Sequence, residues 1–143
     1  MATYYMNDGA FDLPDTRFED LTVHRLRAPL PDGQELGLVI ARSKIPEGKS
    51  LRDVVAHQLQ HEATHLPGHA VLDSEEIEVA GAPAMAVRCR FRRENEAFYA
   101  RQIHVAAFDA WIAFVMSAPI TEREACDRHL DHVVASLRLR EGS

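Results

Sequence analysis

The chain has 143 residues, 46% of them hydrophobic and 27% charged, with a formal net charge of −6. That balance excludes a disordered tract and fits a single domain, 1–143, with a sizeable core. An acidic chain lacks the basic surface that phosphate contacts need, and no stretch approaches the ~18 apolar residues of a membrane span, so nucleic-acid binding and direct membrane insertion are excluded.

The first residues, Met1 to Asp8, carry no basic start and no apolar run, so no secretory signal is expected and a cytoplasmic location follows. Residues 2–6 form a short candidate edge strand, and Pro14 marks a turn. Residues 20–27 and 34–43 flank Pro29-Leu30-Pro31-Asp32-Gly33 and read as a hairpin. Ser50-Leu51-Arg52-Asp53 resembles a capping box and opens a helix that runs to about His65 and stops at Pro67-Gly68, with Leu51, Val54, Val55, Leu59 and Leu66 on one apolar arc. Four strands follow at 71–79, 84–93, 97–107 and 110–117, the last pair joined tightly around Phe108-Asp109. Thr121-Glu122-Arg123-Glu124 reads as a second capping box, ahead of a stripe formed by Cys126, Leu130, Val133 and Leu137. Residues 136–140 are a further candidate edge strand. These elements give an α+β fold, an antiparallel sheet packed with two main helices. Cys89 and Cys126 match no metal-ligand spacing and read as reduced, partly buried thiols.

The sheet pattern is the informative part. Residues 84–91 alternate, Met85, Val87, Cys89 and Phe91 against Ala84, Ala86, Arg88 and Arg90, as a half-buried strand should. Residues 36–41 and 111–116 are apolar on both sides and need cover on both faces. One helix on each face supplies that cover. So does an arrangement with both helices on one face and a partner on the other, the partner being a second copy, a ligand or an apolar peptide. Residue pattern alone leaves the two open.

His61-Glu62-Ala63-Thr64-His65 is a literal H-E-x-x-H, which on a helix sets two imidazoles one turn apart with a glutamate able to activate a zinc-bound water. A zinc-dependent peptidase is the enzymatic alternative it raises. Against it, the helix breaks at Pro67, Val71 stands where a metzincin's third histidine would fall, and a short match is cheap in a chain with eight histidines. Helical spacing turns Glu62 toward the apolar arc and leaves His57, His61 and His65 along its edge, which equally fits a solvated histidine stripe. No catalytic residue, metal site or cofactor is expected, and the chain reads as a non-enzyme.

Two glutamines stand in apolar settings. Gln58 lies on the helical face of Leu51, and Gln102 shares a strand face with Ala100 and His104. A buried amide must find partners, either local groups or the backbone of a bound segment.

Several segments carry a family resemblance: Tyr5-Met6-Asn7-Asp8-Gly9 through Leu13-Pro14, Asp20-Leu21-Thr22-Val23-His24, Leu38-Val39-Ile40-Ala41-Arg42, and Pro46-Glu47-Gly48-Lys49-Ser50-Leu51. Together they resemble the DcrB-like family and, within it, the Eag-type chaperones of type VI secretion effectors. The resemblance implies a PsbP-like (Mog-type) fold, a homodimer, and an apolar sheet surface that shields the N-terminal transmembrane helices of an effector before export. It also implies effector-binding roles for Val23, Val39, Gln58 and Gln102. The chain departs from the pattern at Arg25, where such chaperones carry an apolar residue. A non-chaperone binding module of the same fold is the other alternative.

Overall fold

The computed structural model describes the backbone of residues 2–6 and 9–13, and backbone and side chains of residues 23–31, 33–108 and 110–139. Strands β1 (Ala2–Met6) and β2 (Gly9–Leu13) form an antiparallel pair with Tyr4 opposite Phe11. The remaining strands are β3 (Val23–Pro29), β4 (Glu35–Lys44), β5 (Ala70–Val79), β6 (Ala82–Arg93), β7 (Glu96–Ala107) and β8 (Ala110–Pro119). They make one antiparallel sheet in the order β3-β4-β8-β7-β6-β5. Helix α1 (Leu51–His65) joins β4 to β5, and α2 (Arg123–Ala135) follows β8. The predicted turn at Pro14, the start of the predicted 20–27 strand, and Asp32, Asp109 and Arg140 lie outside the described residues.

Strands β5 to β8 form a meander with two-residue connections. The closing pairs are Val79↔Ala82, Arg93↔Glu96 and Ala107↔Ala110. Ala80 and Gly81 have φ of 51° and 81°, and Glu94 and Asn95 of 51° and 64°. Left-handed backbone at both central positions is the type I′ hairpin, whose twist matches that of the strands. Neither turn carries an Asn-Gly or Asp-Gly signature, and the sequence-predicted strands consequently stop short of it on at least one side.

This topology decides where the helices go. β4 pairs with β8 while β5 lies at the far edge, so the connection between β4 and β5 must cross the intervening strands. Helix α1 makes that crossing on one face, packing over β6 and β7, and α2 returns over β7 and β8 on the other. The arrangement with both helices on one face is therefore not the one adopted: each face carries one helix.

Under α1, Val54, Val55, Leu51 and Leu59 pack against Met85, Val87, Cys89 and Trp111. Under α2, Cys126 and Leu130 are fully buried against a larger core that includes Tyr99, Ile103, Val105, Phe114 and Met116. The Tyr99 hydroxyl donates to Asp127 at 2.6 Å, and Arg101 pairs with Asp131, fixing α2 on β7. Both cysteines are free and buried.

The N-terminus of α1 forms the predicted capping box, Ser50 Oγ accepting from the Asp53 amide at 3.1 Å and Asp53 from the Ser50 amide at 3.0 Å. The second predicted box does not form. Pro119 leads directly into a 3₁₀ turn, Ile120–Glu122, so Thr121 is already inside a helical turn, and α2 starts at Arg123 without a side-chain cap. No strand forms over 136–139; Leu137 and Leu139 instead pack on the α2 core. Among the described residues, no helix is long and apolar enough to cross a membrane.

Candidate functional site

The face under α1 divides into a polar half beneath the helix and an apolar half beside it. In the polar half, Trp111 on β8 donates its indole N–H to His104 Nδ1 at 3.0 Å. An indole can only donate, so Nδ1 is the acceptor and the neutral ring carries its proton on Nε2. That nitrogen lies 2.7 Å from Gln102 Oε1, which turns the amide NH₂ of Gln102 toward the Glu62 carboxylate at 2.8 and 3.2 Å. The chain Trp111–His104–Gln102–Glu62 thus runs donor to acceptor in one direction and ends on a carboxylate of α1. Strand alternation puts Gln102 and His104 on one face two residues apart, and cross-strand pairing brings Trp111 beside them. Burial pushes the His104 imidazole down to about 4, so the ring is neutral near pH 7.

Cys89 and His69 complete the cluster. The Cys89 thiol lies 3.6 Å from Gln102 Nε2 and is pushed up to about 12 by burial and then by the Glu62 carboxylate. His69 follows the turn that ends α1. That turn is clamped to the sheet by the Arg92 N–H donating to Pro67 O at 2.8 Å. Gly68, at φ +65°, is required there: a Cβ would lie 2.9 Å from Arg92 Cγ.

The H-E-x-x-H segment does not assemble a peptidase site. Glu62 turns under the helix as its spacing predicted. His61 and His65 are exposed, with their rings stacked at 4.1 Å and His65 Nδ1 2.9 Å from the His61 carbonyl oxygen. Neither histidine joins Glu62 in a group of converging ligand atoms.

The apolar half lies on β4 and β8. Val39 pairs with Val115 and Ala41 with Ala113; all four are half-buried and belong to neither core. Val23 sits opposite Ala41 and is 49% exposed. At one end of this strip, Val39 lines a groove of about 680 Å³ with Arg25, Phe98 and Ser117. At the other, Gln58 lines a pocket of about 400 Å³ with Val54, Ser43 and Trp111. The structure therefore brings Val23, Val39, Gln58 and Gln102 to one face, three around the open strip and the fourth, 1% exposed, beneath α1. Sequence reasoning placed His104 beside Gln102 but missed Trp111, His69 and Cys89 as their companions. Only register joins those three, and no local spacing encodes it.

The family model of DcrB matches residues 8–136. No curated protein matches the sequence. Among solved structures, PA94 of Pseudomonas aeruginosa, a protein of unknown function, superposes with a TM-score of 0.84 at 20% identity, covering 99% of each chain. LpqN of Mycobacterium tuberculosis, involved in cell envelope biogenesis, gives a TM-score of 0.59 at 15% identity, covering 82% of this chain and 80% of its own. PsbP (CyanoP) of Synechocystis sp. PCC 6803 gives 0.52 at 13%, covering 88% and 95%. These likenesses establish the PsbP-like α+β fold.

Proposed function

The chain belongs to the DcrB family, and from that premise we propose that it is a non-enzymatic cytoplasmic chaperone that shields the N-terminal transmembrane helices of a type VI secretion effector before export. The observation that carries this reading is the apolar strip of β4 and β8, over which no helix among the described residues packs. A transmembrane helix of ~20 residues is about 30 Å long. A ten-residue strand such as β4 runs about 33 Å, so such a client can lie along it with the apolar pairs of Val39 and Ala41 at its middle. Each 100 Å² of apolar surface removed from water contributes about 2.5 kcal/mol, less the ordering of the complex.

Val23 and Val39 supply the apolar contact, and Gln58 offers an amide at the border to polar groups of the client. Gln102 belongs to the same grip from below. Both ends of its amide are engaged by Glu62 and His104, so a client reaches it only when α1 lifts. A homodimer would present two such strips and enclose a helical pair from both sides.

Co-expression with the effector encoded beside it tests the reading. The effector's N-terminal segment should be soluble only with this protein. Val39→Asp should abolish capture and Gln58→Ala weaken it, with the chaperone's own melting temperature unchanged. A segment that stays soluble alone, or capture that survives Val39→Asp, would refute the proposal. A captured partner without a transmembrane segment would point to a binding module of another kind.

A further inference from the structure

Glu62 on α1 and His69 on the turn after it meet Cys89 of β6 beneath the C-terminal end of α1. Their ligand atoms all lie within 4.8 Å of one another. Glu62 Oε1 is 3.8 Å from His69 Nε2. We propose that these three residues bind one divalent transition-metal ion of the zinc class.

The second observation is His69 itself. Its side chain is 2% exposed, yet Nε2 makes no hydrogen bond. Buried polar atoms are nearly always partnered, so an orphaned imidazole nitrogen aimed at a carboxylate and a thiol asks for a missing partner. A metal ion supplies it, because a neutral imidazole nitrogen is a ligand in its own right.

Distance and donor chemistry agree. Zinc bonds of about 2.0–2.3 Å set tetrahedral ligand atoms roughly 3.5 Å apart. The Glu62–His69 separation is already close to that, and small side-chain rotations bring in the sulfur. One sulfur, one imidazole nitrogen and one carboxylate oxygen suit zinc and its soft neighbours, whereas magnesium and calcium take oxygen. Three protein ligands leave a fourth position for water.

The surroundings are built as ligand supports are. Gln102 holds the Glu62 carboxylate, His104 holds Gln102 and Trp111 holds His104, the kind of outer hydrogen bonding that orients metal ligands. The clamp between Pro67 and Arg92 fixes the backbone from which His69 projects. The stacked pair His61 and His65 faces solvent on the outer side of the same helix and takes no part.

The test uses the full-length chain, stripped with a chelator and dialysed against zinc or cobalt(II). One zinc per chain is expected by elemental analysis, and the cobalt form should show a thiolate-to-metal charge-transfer band in the near ultraviolet. Zinc at a hundredfold excess over its Kd should raise the melting temperature by roughly 8 °C. His69→Ala and Cys89→Ser should each weaken binding at least a hundredfold and remove the band, while His61→Ala combined with His65→Ala should change neither. Absence of the charge-transfer band from the wild-type protein overturns the site and needs no variant to fold. So does zinc retained by His69→Ala but lost from the double histidine variant.

Discussion

Lowering the pH from 7 to 5 should destabilise this protein through His104. The folded ring titrates at about 4 because it is buried, against 6.5 for an exposed imidazole. Between those values the unfolded chain binds a proton that the folded chain refuses, so stability falls as pH falls. The contribution is fully present above 6.5 and lost progressively down to 4. Two-state linkage gives a loss of about 2 kcal/mol by pH 5 and about 3 kcal/mol by pH 4, a large share of an ordinary domain's stability. Carboxylates also titrate below pH 5, so the share of His104 is read as a difference between proteins. His104→Gln keeps an acceptor for the Trp111 indole and a donor for Gln102 but cannot titrate. Urea unfolding of both proteins at pH 7 and pH 5 measures it. The wild type should lose about 2 kcal/mol more than the variant over that range. Equal losses would mean that His104 takes up its proton without penalty, and the one-way hydrogen-bond chain derived from its tautomer would be wrong.

Gln102→Leu should cost about 2–4 kcal/mol, because it strands the Glu62 carboxylate and the His104 N–H together, whereas Gln58→Ala at the border of the open strip should stay within about 0.5 kcal/mol; chemical denaturation of the two side by side distinguishes the buried amide from the accessible one. Leu130→Ala, at a fully buried position of α2, should cost about 3–4 kcal/mol by opening a cavity between α2 and β7, read as a lower urea midpoint at unchanged slope.

The sequence made legible what depends on neighbours along the chain. The extent of α1 follows from Ser50, Asp53 and Pro67-Gly68, and the inward turn of Glu62 follows from helical spacing alone. The four strands of the meander were legible from the breaks that separate them, 84–91 also from alternation, and the adjacency of Gln102 and His104 from a period of two. The start of α2 was not, since Thr121-Glu122-Arg123-Glu124 has the letters of a capping box while Pro119 imposes a tighter turn first. The cluster of Glu62, His69 and Cys89 was not legible either. It exists because α1 packs over β6 and because the turn at Gly68 is pinned to Arg92 of the same strand, both products of the assembled sheet.

The surplus of apolar sheet surface follows from geometry once the topology is known. A helix is about 10 Å across and strands lie about 4.8 Å apart, so one helix covers roughly two strands. Among the described residues, six strands carry one helix on each face. On the α2 face the deficit is made up in part by Leu30, Ile120, Leu137 and Leu139, which extend the core beyond the helix. On the α1 face the crossing helix is drawn to β6 and β7 because β5 lies at that edge, and β4 and β8 remain beside it. The same constraint puts the buried amide chain under the helix and the accessible glutamine at its border. A single connection, the one from β4 to β5, therefore fixes both the polar half and the open half of the face.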